Sequence, residues 1–399
     1  MSASIKRILL MTSEPNELIA AAKEVDAHNI CFFVCEEIEA AEALLSHHQF
    51  AAVVTDLQLS ELGGFEGLKL IHHVRTHFPS TVIFAAVAEA SAEIRDLVQG
   101  AGGQHVLEKP IDVSVLQSIA TDKQKTKLSG HVDVCHFMKL EQFLKSYAMQ
   151  ALLQPIVGFD KMASTPRTLG VESLARAPKN APRWTPEILF AYAERKEMLF
   201  ETDLHCLQAA LKEAEKLRHG CRLFMNVRPR SLINPSFFSK MTSLLQGTSF
   251  RHTDIVFELT EQQGILNQEA FSQTVTLLRD SGFGIALDDF GEGYANLKLL
   301  QELKPDYIKL SGAFCRSLDT DATKQVIVGA ASHMASQLLI PMILENVETD
   351  RELQAAMTLG VRCAQGYYFC PPLSAMELTS SGWFDRHPAP PLQNALFSD

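Results

Sequence analysis

Polar side chains that could bind a metal ion follow a series of short apolar runs in the C-terminal two-thirds of the chain. Eight runs of apolar or β-branched residues each end in a polar residue that an ordinary strand end would not require. In chain order the polar residues are Gln154, Glu172, Asn226, Glu258, Asp288 with Asp289, Lys309, Glu345 and Gln365. Most of the intervals between them are long enough for a strand and a helix.

The region 137–390 has about the length of a (β/α)8 barrel. In such a barrel the side chains at the carboxyl ends of the strands converge on one mouth. A single acid at a strand end is usually a turn or helix-cap residue. Eight polar residues in register instead predict a functional site at the mouth.

The residue types indicate the chemistry of that site. Five carboxylates at one mouth would repel each other and raise one another's pKa values, while Lys309 supplies one positive charge. Divalent cations are the obvious source of the remaining charge. A donor set made of oxygens suits Mg²⁺ or Mn²⁺ better than zinc, and the adjacent Asp288 and Asp289 could serve two ions. Because two-metal sites stabilise the attacking and leaving oxygens of phosphate esters, the residues predict a metal-dependent phosphodiesterase or phosphatase.

The same residues lie in motifs that resemble those of EAL-domain cyclic-di-GMP phosphodiesterases, over roughly residues 137 to 380. The matching segments are Gln154–Val157, Glu172–Arg176, Phe257–Glu261, Asp288–Tyr294, Leu344–Glu348 and Gln365–Tyr367. The resemblance implies a (β/α)8 barrel that holds two Mg²⁺ or Mn²⁺ ions and hydrolyses cyclic-di-GMP to linear pGpG.

By this resemblance, most of the eight positions acquire a role. The matched metal ligands are Glu172, Asn226, Glu258, Asp288 and Asp289. Lys309 and Glu345 match the groups that hold and deprotonate the attacking water, with Glu345 as the base. Gln365 matches a polar residue that supports the site.

Further positions match groups that bind substrate or anchor a loop. Gln154, Leu174 and Arg176 match substrate contacts, and the planar guanidinium of Arg176 suits phosphate. Glu261 matches a residue of the catalytic machinery that anchors the loop after Asp289. In the family this loop, residues 290–297 here, couples dimerisation to catalysis, so we expect a homodimer or a higher oligomer.

The chain departs from the family pattern at four positions. Ser173 replaces an alanine and keeps a small side chain. Ser311 replaces an acid near Lys309, Asn346 replaces a glycine, and Glu292 replaces a small loop residue. None removes a matched metal ligand, but Ser311 lacks the acid that the family has near the catalytic lysine. Because of this departure, two alternatives to turnover stay open: a cyclic-di-GMP receptor that binds without cutting, and a protein-interaction module.

Residues 1–120 alternate short apolar runs with helical stretches, which predicts a doubly wound α/β domain with five parallel strands. A polar stretch, 121–136, is expected to be a linker. The domain resembles a response-regulator receiver, with Asp56 at the phospho-acceptor position and Lys109 at the lysine position. Thr12 and Ser13 stand where a receiver has its acidic pair. Without that metal cradle we expect slow or absent phosphorylation and a role in dimerisation or in binding a signalling partner.

Composition excludes several other classes of protein. The chain has 399 residues, 46% of them hydrophobic and 21% charged, which is typical of globular domains. A net charge of −11 argues against a DNA-coating protein. No apolar run reaches the roughly 18 residues of a membrane helix. The eight cysteines have neither C-x-x-C nor zinc-finger spacing, so we expect reduced core thiols in a cytoplasmic protein.

Overall fold

The computed structural model describes residues 5–27, 29–59, 64–120, 132–159, 166–181, 183–217, 221–260, 267–292 and 296–389. The chain divides into two units, Met1–Tyr147 with Lys179–Met198, and Ala148–Pro178 with Leu199–Asp399. Among the described residues, no helix combines the length and apolar character needed to cross a membrane.

The first unit is built on a six-stranded parallel sheet. Its strands are β1 (Lys6–Met11), β2 (Ile30–Cys35), β3 (Ala52–Asp56), β4 (Val82–Val87), β5 (His105–Glu108) and β6 (Val132–Phe137). They lie in the order β5-β4-β3-β1-β2-β6. The first five strands have the flavodoxin-like order, which confirms the doubly wound prediction.

Seven helices accompany this sheet. They are α1 (Pro15–Lys23), α2 (Ile38–His47), α3 (Gly67–His77), α4 (Ala92–Ala101), α5 (Val113–Ala120), α6 (Leu140–Ser146) and α7 (Pro186–Arg195). Helix α1 contacts α5, whereas α2 contacts both α3 and α7. Strands β2 and β3 are buried along their whole length, as expected of central strands covered on both faces.

Strand β6 lies partly in the stretch expected to be a linker. Residues 121–131 are outside the described part of the chain, but 132–136 belong to a strand that pairs in parallel with β2. Val132 and Val134 pack against the apolar core of this unit, and Phe137 stacks on Phe33. The strand interleaves these apolar side chains with Asp133 and His136, and its polar surroundings concealed it in the sequence.

The second unit contains a closed eight-stranded barrel. Its strands are β7 (Gln150–Gly158), β8 (Arg167–Arg176), β9 (Arg222–Asn226), β10 (Ile255–Thr260), β11 (Gly284–Phe290), β12 (Tyr307–Leu310), β13 (Met342–Leu344) and β14 (Cys363–Ala364). The eight predicted apolar runs all fall on these strands, which confirms the barrel.

Nine helices and two short 3₁₀ helices belong to the described part of the barrel unit. The helices are α8 (Leu199–Ala214), α9 (Pro229–Leu232), α10 (Phe237–Leu245), α11 (Gln268–Asp280), α12 (Asn296–Leu303), α13 (Ala322–Gln337), α14 (Asp350–Thr358), α15 (Ala375–Ser380) and α16 (Trp383–Arg386). The 3₁₀ helices span His252–Asp254 and Gly312–Phe314.

The first barrel strand runs opposite to the other seven. Strand β7 pairs antiparallel with both β8 and β14, whereas the remaining barrel pairs are parallel. The carboxyl end of β7 therefore does not lie at the mouth. Gln154 sits mid-strand in register with Glu172 of β8, so it still reaches the level of the polar residues.

Candidate active site

The centre of the barrel mouth is the ammonium group of Lys309, on β12. Its Nζ lies 2.8 Å from Glu345 Oε1, 2.9 Å from Glu258 Oε1, 3.1 Å from Asp288 Oδ1 and 3.3 Å from Glu172 Oε2. The Lys309 side chain is only 1% exposed. Burial disfavours its charge, but the four carboxylates outweigh that effect and hold its pKa well above the ordinary value.

Two amide side chains orient the acids, and a third, Gln154, holds one of those amides. Asn226 Nδ2 donates to Glu172 Oε1 at 3.0 Å and to Glu258 Oε2 at 3.1 Å. Gln365 Nε2 donates to Glu172 Oε2 at 2.6 Å and to Gln154 Oε1 at 3.0 Å. Asn226 Nδ2 and Gln365 Nε2 thus each use both of their protons. The carbonyl oxygens are the atoms that Asn226 and Gln365 can still offer to a cation or a water.

A backbone irregularity places two successive acids in the same site. Adjacent residues of a regular strand face opposite sides of a sheet. The pairing of β11 with β12 shifts register between Leu287 and Phe290, and Asp289 has a left-handed φ of 52°. As a result, carboxylate oxygens of Asp288, Asp289 and Glu345 all lie within 4.8 Å of one another. Such a bulge is a common way to redirect side chains beside an active site.

The crowding of acids shows in their protonation. Burial, followed by the charge of Glu172, raises the pKa of Glu258 well above the usual range. Burial chiefly raises the pKa of Glu345 to about 8, and burial with the charge of Asp288 raises that of Asp289 to about 6. Glu172 differs because Lys309 and the Gln365 amide outweigh its burial, so its pKa is lowered.

This donor set fits divalent metal ions. Four carboxylates surround one ammonium group and that of Asp289 lies beside them, so the fully ionised site has a large excess of negative charge. The carbonyl oxygen of Gln365 is buried and accepts no hydrogen bond from the described residues. Carboxylate and amide oxygens are ligands that Mg²⁺ and Mn²⁺ prefer.

The expected substrate contacts lie at the edge of this cluster. Leu174 and Arg176 follow Glu172 on the same face of β8 at two-residue spacing, and both are half-buried. Arg176 Nη1 donates to the carbonyl oxygen of Ala175 at 2.9 Å. Its guanidinium thus bonds to the backbone of its own strand. Glu261, expected to anchor the loop after Asp289, lies outside the described residues.

Two of the departures from the family pattern are connected in space. The Ser311 hydroxyl donates to the Glu292 carboxylate, which ties the loop after β11 to the end of the strand that carries Lys309. The same hydroxyl accepts a bond from the Ala313 amide at 3.2 Å. Asn346 adopts a left-handed φ of 55°, a conformation that asparagine tolerates better than most residues.

One ion pair at the mouth was not predicted from the sequence. Asp203 of α8 is buried and binds Arg228, two residues after Asn226, with 3.0 Å between Oδ1 and Nη1. Asp203 also accepts a bond from the Arg228 amide at 3.4 Å. The pair fixes the chain where it leaves β9. An acid at a buried position of an otherwise apolar helix face was the available signal.

The first unit has a second polar cluster, at the carboxyl ends of β1 and β3. Asp56 Oδ2 accepts a bond from Thr12 Oγ1 at 2.8 Å and lies 2.9 Å from Lys109 Nζ. Lys109 Nζ also lies 3.4 Å from Glu14 Oε2. The predicted pair, Asp56 and Lys109, therefore meets at the switch point of the sheet, where doubly wound domains bind ligands.

Comparison with known proteins places the barrel among EAL domains, since the model of that family matches residues 138–372. The chain is 28% identical over 214 residues to "Probable cyclic di-GMP phosphodiesterase PdeG" of Escherichia coli, covering 52% of this chain and 42% of that protein. It is 24% identical over 385 residues to "Cyclic di-GMP phosphodiesterase RocR" of Pseudomonas aeruginosa, covering 92% of this chain and 96% of that protein. The chain spans less than half the length of the first curated relatives it matches.

A solved structure with a similar fold is the manganese and cyclic-di-GMP complex of BlrP1 from Klebsiella pneumoniae. The similarity has a TM-score of 0.52 at 29% identity and covers 57% of each chain.

Replacing the buried lysine tests the charge balance of the mouth. Lys309→Met leaves four acids without their shared counter-ion, so we expect the metal-free protein to lose about 3–5 kcal/mol of unfolding free energy. Added Mn²⁺ should recover much of this loss. Urea unfolding with chelator or with Mn²⁺ measures both effects.

Lys298→Met is the matched control, because Lys298 is exposed and makes a surface pair with Glu302. It should change the unfolding free energy by less than about 1 kcal/mol. Equal losses in the two variants would contradict the account of the site.

Proposed function

Since this chain belongs to the EAL-domain family, we propose that it is a metal-dependent phosphodiesterase that hydrolyses cyclic-di-GMP to linear pGpG. The observation that carries the proposal is the excess of carboxylates around Lys309 at the barrel mouth. A site of this charge suits divalent cations together with a phosphodiester, and two relatives have names that state this substrate.

We propose that two Mg²⁺ or Mn²⁺ ions occupy the mouth. Their ligands would be Glu172, Asn226, Glu258, Asp288 and Asp289. Ions held there supply Lewis-acid stabilisation of the charge that develops on a phosphodiester. Because the β11 bulge brings the adjacent acids Asp288 and Asp289 to the same site, both would be available as ligands.

The chain's own groups would handle the water and its proton. Lys309 Nζ and Glu345 Oε1 lie 2.8 Å apart, so one water could contact both groups. Lys309 would hold that water as a hydrogen-bond donor, and Glu345 would accept its proton. Gln365 supports this arrangement, since it fixes Glu172 and is itself held against Gln154. Arg176, released from the Ala175 carbonyl, would grip phosphate oxygens.

For the first unit we propose regulation through a partner protein rather than through phosphorylation. Among the described residues, Lys109 forms ion pairs with two carboxylates, those of Asp56 and Glu14. Thr12 supplies a hydroxyl where a receiver would have an acid, so a magnesium ion finds few ligands. That the chain forms a homodimer or a higher oligomer, and that a signalling protein binds the first unit, stay predictions.

Glu345→Gln tests the base. The amide keeps the size of the side chain but cannot accept a proton, so turnover of cyclic-di-GMP should fall by about 10²- to 10⁴-fold. Binding of the nucleotide in Ca²⁺, measured by calorimetry, should stay within a few-fold of wild type. The control is Glu201→Gln, at an exposed position of α8. Retained turnover in Glu345→Gln would remove this residue from the role of base.

Phosphorylation of the first unit can be measured by mass spectrometry. After incubation with a small phosphodonor and Mg²⁺, we expect no added phosphoryl group, because the acidic pair that holds the metal is missing. Asp56→Ala serves as the background control. A mass gain of one phosphoryl group that disappears in Asp56→Ala would overturn the proposal of regulation without phosphorylation.

A further inference from the structure

Two cysteines and an aspartate that are far apart in the sequence meet at the edge of the six-stranded sheet. Cys31 lies on β2, and Asp133 and Cys135 lie on β6. The two sulfur atoms are 3.7 Å apart. Both sulfurs and a carboxylate oxygen of Asp133 lie within 4.8 Å of one another.

The strand pairing explains why the three side chains share one face. In the parallel ladder Cys31 pairs with Asp133, and Phe33 pairs with Cys135. Paired residues face the same side of a sheet, and so do residues two apart along a strand. The cluster is therefore set by the sheet itself and does not depend on a loop.

We propose that Cys31, Cys135 and Asp133 form a site for a thiophilic divalent cation of the Zn²⁺ type. In a tetrahedral zinc site with Zn–S bonds of about 2.3 Å, two thiolates lie about 3.8 Å apart. The observed sulfur separation of 3.7 Å matches that spacing without a change in the backbone. Two thiolates and one carboxylate leave the fourth position to water, as in other open zinc sites.

The chemistry of the two thiols supports this site. The hydrogen-bond contact between the two thiols lowers the pKa of Cys31 and raises that of Cys135. Binding of the cation would form two metal–sulfur bonds and release both thiol protons to solvent, so the charges balance.

The cluster is also accessible. The Cys31 and Cys135 side chains are 4% and 6% exposed, but Asp133 and Cys135 line a cleft of about 650 Å³ with Arg183 and Trp184. Arg183 forms an ion pair with Asp133 through Oδ2 of the carboxylate. A cation can use the cleft to reach Cys135 and to compete with Arg183 for the Asp133 carboxylate.

This site differs in chemistry from the barrel mouth. Thiolates select zinc and similar soft ions, whereas the all-oxygen donors of the mouth select Mg²⁺ or Mn²⁺. An ion on Cys31 and Cys135 would join β6 to β2 and so stabilise the edge of the sheet. The inference is independent of the proposed hydrolysis.

Cobalt titration of the full chain, kept reduced with a phosphine, tests the site directly. We expect thiolate-to-cobalt charge-transfer absorption at one equivalent, which bound Zn²⁺ should abolish. Cys31→Ser and Cys135→Ser should each reduce the absorption strongly. Cys221→Ser, which removes a buried thiol outside the cluster, should leave it unchanged.

A second pair of variants separates ligation from folding. Asp133→Asn alters a partly exposed side chain and should weaken Zn²⁺ binding, measured by competition with a chromophoric chelator, by about tenfold or more. Arg183→Gln breaks the same ion pair but removes no ligand, so its affinity should equal or exceed that of wild type. Absence of charge-transfer absorption in the wild type, or equal absorption in Cys31→Ser, would overturn the proposal. Equal weakening by Asp133→Asn and Arg183→Gln would remove Asp133 from the ligand set.

Discussion

The barrel mouth depends on one buried positive charge. Lys309 is the centre on which four carboxylates converge, three from other strands and Glu345 from directly after β13. Its ammonium group lies within 3.3 Å of each of them. Without that charge the acids would repel each other in a site that water hardly reaches. One ammonium charge does not neutralise all of these carboxylates when they are ionised, and the remaining negative charge favours the binding of divalent cations. Stability and proposed catalysis therefore rest on the same contacts.

The two polar clusters of the chain contrast in this respect. At the barrel mouth four acids contact one lysine and a fifth, Asp289, lies beside them. In the first unit Lys109 faces Asp56 and Glu14, and a threonine hydroxyl completes the cluster. The second cluster needs little additional charge. The contrast is the physical basis for proposing metal-dependent chemistry in the barrel and binding without phosphoryl transfer in the first unit.

Much of this arrangement was predictable from the sequence, because each barrel strand is an apolar run and a polar residue marks the end of that run. The eight barrel strands and the first five sheet strands follow from apolar runs, and the converging residues from Glu172 to Gln365 do meet. Other features depend on long-range pairing. The reversed direction of β7, the strand at 132–137 and the Asp203–Arg228 pair have weak local signals. Cys31 and Cys135 meet across 104 residues, so no spacing rule for metal sites could reveal them.

The most direct test of metal-dependent hydrolysis at the barrel mouth is the reaction itself. The full chain is incubated with cyclic-di-GMP and Mn²⁺, and the nucleotides are separated by chromatography. We expect that linear pGpG accumulates, that a chelator stops its formation, and that Glu172→Ala, which removes a proposed ligand, forms none. Intact cyclic-di-GMP after incubation with folded protein in both Mg²⁺ and Mn²⁺ would contradict it.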